Sequence, residues 1–398
     1  MVSRAMHRRI LAMGLMCATA GMAVASGTGN QPKIPPNNAA ASSATVEWLV
    51  PALPSTQPQT AGQAEASKQS GRELPKPEML QPTLDPALPA YVPGNGATKL
   101  KGRFHGASSD VLVSLVKAWA SRFKALHPGV DIDIAPPYAG SLGAKELIKE
   151  KTDFVFVSRE LKPEDLVDFH AKFGYDPLSV PVSGGSYRHF GFLDAIGVFV
   201  HPDNPLRQID YKQLDALFSS TRHRGGQAIT TWGQLGLGGE WADKPVHLYG
   251  IKPWNGFEEF FRQRVLSRDG QRGEWRDGIH YEKTVFPLAR SVAADRYALA
   301  YSGLAYIDSS VKMLPIATTR DGVAVAPTYE NVASARYPLS RLIFFNVNKA
   351  PGKPMTPALR EFLRFILSKE GQQVVLDQQV FLPLRAEQVE HSRALLEP

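Results

Sequence analysis

From Leu100 onward the chain alternates strand-like and helix-like segments, and no other feature constrains its fold as much. Residues 101–105 are short and strand-like. After Ser108 and Ser109, apolar residues recur at Leu112, Leu115, Val116, Trp119, Phe123 and Leu126, and Pro128 and Gly129 end the run. That spacing lays an apolar stripe along one face of a helix. Residues 130–134 alternate apolar and acidic side chains like a half-buried strand, residues 141–150 read as a second helix, and residues 153–157 form a nearly continuous apolar strand. The order is strand, helix, strand, helix, strand, and a crossover through a helix joins parallel neighbours. The expected class is therefore α/β, built on a parallel sheet.

The texture continues to the C-terminus. Residues 195–200 read as a buried strand that exits into the turn-rich His201-Pro-Asp-Asn-Pro205. Helices are expected over 211–218, capped by Asp210, and over 257–266, with a strand at 246–249 between them. Residues 342–347 are strand-like, and Thr356-Pro357 opens a helix to Ser368 with proline at its first position. The sequence shows no internal repeat, heptad or metal-ligand spacing, and no metal or cofactor is expected.

The first 97 residues differ from this. Arg4, His7, Arg8 and Arg9 precede an apolar stretch over 10–22 and the small residues Ala23-Val24-Ala25, the pattern of an export signal. The stretch is shorter than the ~20 residues a bilayer-spanning helix needs, so residues 1–26 are expected to be a cleaved signal peptide and the protein periplasmic. The single cysteine, Cys17, lies within it. A mature chain would then hold no disulfide, no Cys-ligated zinc and no Cys nucleophile. Residues 27–97 carry 12 of the 31 prolines among Ala, Gln, Ser and Asn, a composition that offers too little apolar surface to offset ordering. They are expected to form a disordered linker, in which Trp48 within residues 46–50 is the one candidate for a docked piece. Arg4, Arg8 and Arg9 supply three of the +7 formal charges. Acidic and basic residues are interspersed in the rest, so a nucleic-acid partner is not expected.

Three strand-to-helix turns carry small, donor-rich residues: Gly106-Ala-Ser108-Ser109, Tyr138-Ala-Gly140-Ser141-Leu-Gly143, and Val157-Ser158-Arg159. In a parallel sheet such turns line the crevice at the carboxyl ends of the strands, where ligands bind. Helix starts also present unpaired N–H groups and a partial positive charge. The turns could thus form an oxyanion cradle with Arg159 as a charge-assisted donor. Alternatively, Ser109 and Ser141 are ordinary helix caps.

These turns, in order, carry a family resemblance. Gly106-Ala-Ser-Ser109, Tyr138-Ala-Gly-Ser-Leu-Gly143, Asp153-Phe-Val-Phe-Val-Ser-Arg-Glu-Leu161 and Asp203-Asn-Pro205 resemble the phosphate-binding receptors of ABC importers. So do Thr231-Trp-Gly-Gln-Leu235, Ala300-Tyr-Ser-Gly-Leu304, Tyr337-Pro-Leu-Ser-Arg341 and Asn348-Lys-Ala-Pro-Gly-Lys-Pro354. The likeness runs over about residues 99–385. It implies a type II periplasmic-binding-protein fold, in which two α/β lobes joined by two hinge strands close around a ligand. The crossings would fall near 198–201 and 339–344, giving a first lobe from 98–200 plus 340–398 and a second from 201–339. It further implies a small anionic ligand such as phosphate, an ABC permease in the inner membrane as partner, and a monomeric, non-enzymatic receptor. In lobe two the family grips its anion with an Arg and a Ser-Gly-Thr turn that opens a helix. Here Ile251 stands at the Arg position, and Asn255, Gly256 and Phe257 stand at the triplet. Arg159 likewise stands where the best-known receptors have an Asp. The ligand-binding set is thus expected to be Ser108, Ser109, Gly140, Ser141, Ser158, Arg159, Asn255 and Gly256.

Two other readings compete. A sensory or scaffold protein could keep the receptor fold without transport, which would suit the long linker and the altered lobe-two turn. A secreted hydrolase could use His105 with Ser108, Ser109 and Asp110, although no Gly-x-Ser-x-Gly elbow is present.

Overall fold

The structure is a computed structural model that describes residues 82–94, 96, 99–134, 136, 140–187, 193–253 and 256–397, with only the backbone of Gly140 and Ser141. The signal segment and residues 46–50 lie outside the described residues. The first lobe opens as the alternation predicts. Strand β1 (Gly102–Ser108) leads to α1 (Val113–Leu126), then β2 (Val130–Ile134), α2 (Gly140–Ile148), β3 (Phe154–Val157), α3 (Pro163–Phe173) and β4 (Leu178–Gly184). Helix α1 buries Leu115, Val116, Trp119, Ala120 and Phe123, the stripe its spacing requires.

The second lobe contains β5 (Ile196–Val200), β6 (Ile209–Asp210), α4 (Tyr211–Phe218), β7 (His247–Ile251), α5 (Gly256–Phe261), β8 (His280–Glu282), α6 (Leu288–Ala293), β9 (Ala298–Gly303), β10 (Lys312–Met313), β11 (Ile316–Ala317) and α7 (Tyr329–Ala333). Asp210 caps α4, its carboxylate accepting from Gln213 N at 2.8 Å, as expected. The chain then returns to the first lobe through β12 (Leu342–Val347), α8 (Pro357–Ile366), α9 (Lys369–Asp377) and α10 (Ala386–Ala394).

Among the described residues there are two five-stranded sheets. The first has the order β2-β1-β3-β12-β4 and the second β10-β5-β9-β7-β8. Strands β1, β2 and β3 are parallel, whereas β12 inserts antiparallel between β3 and β4. Gly106 permits the β1–β3 approach, because a Cβ there would lie 2.1 Å from the Phe154 ring.

Two expectations need correction. Strand β5 had been assigned to lobe one, but it pairs along its whole length with β9 in the second sheet. The first crossing therefore comes before β5, within residues 184–196. There the two connections lie side by side, with Gly185 N donating to Arg341 O (2.8 Å) and Ile196 N to Leu339 O (3.0 Å). An apolar run reveals that a strand is buried but not in which sheet. The other correction concerns the linker. Residues 82–94 pack on lobe one, where Leu88 is buried in its core and the Tyr91 hydroxyl donates to Glu361 at 2.8 Å. Lys369 N also donates to Pro89 O at 2.8 Å. A few apolar anchors are enough to order a stretch whose proline content already restricts the unfolded chain.

Candidate functional site

Parallel pairing brings the predicted turns to one edge of the first sheet. Ser108 lies opposite Phe156 in the register of β1 and β3, so Ser108, Ser109 and Ser158 all sit at the carboxyl ends of these adjacent strands. Helix α2, which begins at Gly140, follows β2 at the same edge. Ser108 is fully buried and its hydroxyl donates to Ser109 O at 3.0 Å, while Ser109 N donates to Phe156 O at 2.9 Å. Ser109 is the N-cap residue of the short 3-10 turn Asp110–Leu112, but its side chain makes no capping hydrogen bond. Ser141 lies inside the first turn of α2, not ahead of it.

Arg159, the expected charge-assisted donor, directly follows Ser158 at this edge. Its guanidinium donates to Glu160 O at 2.9 Å. Burial lowers its pKa, against the opposing pull of Glu259, Asp165, Glu160 and Glu164. Three of these carboxylates are themselves paired, Glu160 with Arg264, Glu164 with Arg272 and Glu259 with Arg272 and Lys162.

The sequence reading passed over a second arginine at this edge. Arg341 precedes β12 in the second crossing and is 6% exposed. One of its Nη atoms donates to Ser158 O at 3.4 Å, and its buried Nε has no hydrogen-bond partner among the described residues. Its guanidinium lies 4.9 Å from the Phe260 ring centroid and 5.9 Å from that of Phe257. Burial pushes its pKa down to about 10, with Asp194 opposing the shift and Arg159 adding to it, so it stays cationic at neutral pH. Asp194 is fully buried, and one carboxylate oxygen accepts from the Ser186 hydroxyl at 3.1 Å. A charged residue at the mouth of the apolar run 342–347 was the signal available in the sequence.

On the lobe-two side, Asn255 lies outside the described residues. Gly256 begins α5, is exposed, and has open space where a Cβ would stand. Phe257 turns its ring toward Gly303, where a Cβ would come within 2.8 Å of it and within 3.1 Å of an Asp194 oxygen. Phe257, Gly303, Asp194, Arg341 and Ser158 thus form one continuous wall from lobe two, across the crossings, to lobe one.

Beside that wall the lobes are tied by polar contacts. Arg264 pairs with Glu160 at 2.7 Å, Arg272 with Glu164 at 3.1 Å, and Glu259 with Lys162 at 3.8 Å. The Gln263 side-chain amide donates to Leu161 O at 2.8 Å. Burial alone would raise the Glu259 pKa, but hydrogen bonds from Arg272 and Arg262 outweigh it and hold the carboxyl at about 2.

The hydrolase geometry is not formed. His105 is exposed on β1 and pairs with Asp133 at 3.3 Å. Ser108 is three residues further along the same strand, so it points to the opposite face roughly 10 Å away. Among the described residues, no group of three or more His, Cys, Asp or Glu could hold a metal ion, and no helix is long and apolar enough to cross a membrane.

Comparison with known proteins gives a consistent result. The family described as a PBP superfamily domain matches residues 58–370. The phosphate-binding protein PstS of Pseudomonas aeruginosa PAO1 is 37% identical over 309 residues, covering 77% of this chain and 90% of that protein. Phosphate-binding protein PstS 2 of Streptococcus pneumoniae TIGR4 is 31% identical over 138 residues, 34% of this chain and 38% of that one. Among solved structures, PstS from Borrelia burgdorferi superposes with a TM-score of 0.51 at 15% identity, over 72% of this chain and all of that one, a likeness of fold. On the length and identity of the Pseudomonas match, the chain belongs to the PstS-type phosphate-binding proteins of the PBP superfamily.

Proposed function

We propose that this chain is an extracytoplasmic receptor that captures a small oxyanion, phosphate foremost, and delivers it to an ABC permease in the inner membrane. The observation that carries this reading is Arg341, a buried guanidinium whose Nε has no hydrogen-bond partner among the described residues, at the sheet edge where Ser108, Ser109 and Ser158 converge. A buried charge is tolerated when a ligand completes its hydrogen bonding. The phosphate-binding relatives support phosphate as the ligand.

The site consists of Ser108, Ser109, Gly140, Ser141 and Ser158 from lobe one and Asn255 and Gly256 from lobe two, with Arg341 as principal cation and Arg159 as its secondary neighbour. The lobes divide within residues 184–196 and 337–342. The protein acts in the periplasm as a monomer, binds without catalysis, and requires no cofactor. Binding bridges the lobes and shifts the open–closed equilibrium toward the form a permease reads. Titration calorimetry of the chain without its signal segment, against phosphate, sulfate, molybdate and carboxylates, tests this reading. At least one oxyanion should bind tighter than millimolar. If none does, the receptor reading fails and a scaffold role takes its place.

A further inference from the structure

Residues 83–94 run along lobe one and are fastened to it at successive points. Asp85 accepts from Ala386 N at 3.0 Å and from Ala87 N at 2.9 Å, which places its carboxylate at the first turn of α10. Leu88 enters the lobe-one core, Tyr91 N donates to Glu370 at 2.6 Å, and Gly94 N donates to Glu361 at 3.0 Å. The start of the stretch reaches the other lobe. Thr83 lies against Tyr329 of α7, and its carbonyl and hydroxyl oxygens accept from one Nη of Arg385 at 3.1 and 3.3 Å. The other Nη of that guanidinium donates to Glu330 of α7 at 2.9 Å. Arg385 belongs to lobe one and Glu330 to lobe two, so a single side chain joins this stretch to both.

At this place the lobes are held by a few polar contacts instead of packed side chains. A cavity of about 720 Å³ lies between them, lined by Thr83 and Asp85, by Glu330 and Arg336 from lobe two, and by Leu342 and Arg385 from lobe one. A guanidinium forked between acceptors on two segments has its orientation fixed by both. A shift of about 1 Å between Arg385 and Glu330 takes their hydrogen bond out of range, so the pair belongs to the lobe arrangement present here. The pairs Arg264–Glu160 and Arg272–Glu164 between the lobes are formed in that same arrangement. A contact made in one arrangement and lost in another shifts the equilibrium by its own free energy.

We propose that residues 83–94 act as a strap that holds the two lobes in this closed arrangement and thereby raises the affinity of the cleft for phosphate, with Thr83 as the positioning residue for the Arg385–Glu330 pair. The effect on affinity rests on the oxyanion-receptor reading of the cleft, whereas the effect on lobe geometry stands apart from it. A partly solvated pair of this kind sets the size of the effect at about two- to fivefold.

The chain lacking residues 1–26 contains no cysteine, so Val167→Cys and Val323→Cys, at exposed positions on lobe one and lobe two, accept a pair of spin labels. Two variants are compared in that background and, unlabelled, by calorimetric titration with inorganic phosphate at low salt. Glu330→Gln changes a residue that is 56% exposed, and Asp85→Ala frees the strap from α10. Thr83→Val, which removes the hydroxyl acceptor and leaves the α10 contact, replaces Asp85→Ala if that variant folds poorly. Without ligand each variant should shift or broaden the inter-lobe distance distribution, and each should weaken phosphate binding about two- to fivefold. Combined, they should lose no more than the larger single effect, because both act through one contact. A distribution superimposable on the wild type in either variant overturns the proposal, as do losses that multiply, or an unchanged affinity where the wild type binds phosphate. Altered distributions in a chain that binds no phosphate leave the lobe-fastening role standing and overturn the receptor reading.

Discussion

The ion pairs that join the lobes should set how readily the cleft closes. Replacing Glu160 and Glu164 together by Gln removes the partners of Arg264 and Arg272 without touching the lobe-one turns. The Glu160 carbonyl, which accepts from Arg159, and the Leu161 carbonyl, which accepts from Gln263, remain in place. Both pairs are partly solvated, Arg264 and Glu160 each being 33% exposed, and Arg272 and Glu164 26% and 51%. Pairs of this kind are worth about 0.2–1 kcal/mol each. Losing two should weaken closure by about 1 kcal/mol, or roughly fivefold in the open–closed equilibrium. If only the closed form binds tightly and is the minor form without ligand, the same factor appears in the measured affinity. Titration at about 20 mM and 1 M salt checks this, because at 1 M the Debye length is only ~3 Å. The double variant should bind about fivefold more weakly at low salt and almost as well as wild type at high salt. Unchanged affinity at low salt, or an equal loss at both, would refute the reasoning.

Three further outcomes are expected. Arg341→Ala should reduce oxyanion affinity by at least 100-fold while retaining the native circular dichroism spectrum; affinity within threefold of wild type would place the anion elsewhere. Trp119→Ala should lower unfolding stability by about 3–5 kcal/mol in urea, because the side chain is fully buried and its indole N–H donates to Gly371 O at 2.8 Å. A loss below 1 kcal/mol would contradict its place in the core. The Glu259 carboxyl is held below its ordinary 4.5, at about 2, so its contribution to stability is present above pH 4.5 and is lost as pH falls toward 2. Glu259→Gln should flatten the acid limb of a stability–pH profile in that window, and an unchanged limb would show that other groups govern it.

The sequence by itself determined the elements whose information is local. The stripe from Leu115 to Phe123, the alternation of β2, the Asp210 cap and Pro357 at the start of α8 each appear in the structure where the sequence places them. Periodicity and capping depend on neighbours a few residues apart, and those neighbours are visible in a sequence. Local information weakens at 257–266, where the expected helix is α-helical only to Phe261 and then becomes a π-turn through Leu266. The tertiary structure alone decided which sheet receives β5, since its five buried residues would suit either. It alone brought Arg341 to Ser158, 183 positions away in the chain, and carried Glu160 and Glu164 to Arg264 and Arg272. The meeting of Ser108, Ser109 and Ser158 at one sheet edge was legible because strand-end turns in a parallel sheet converge by topology. The place of Arg341 beside them was not, because it depends on burial against Phe257 and Phe260, and burial is a property of packing that no local pattern records.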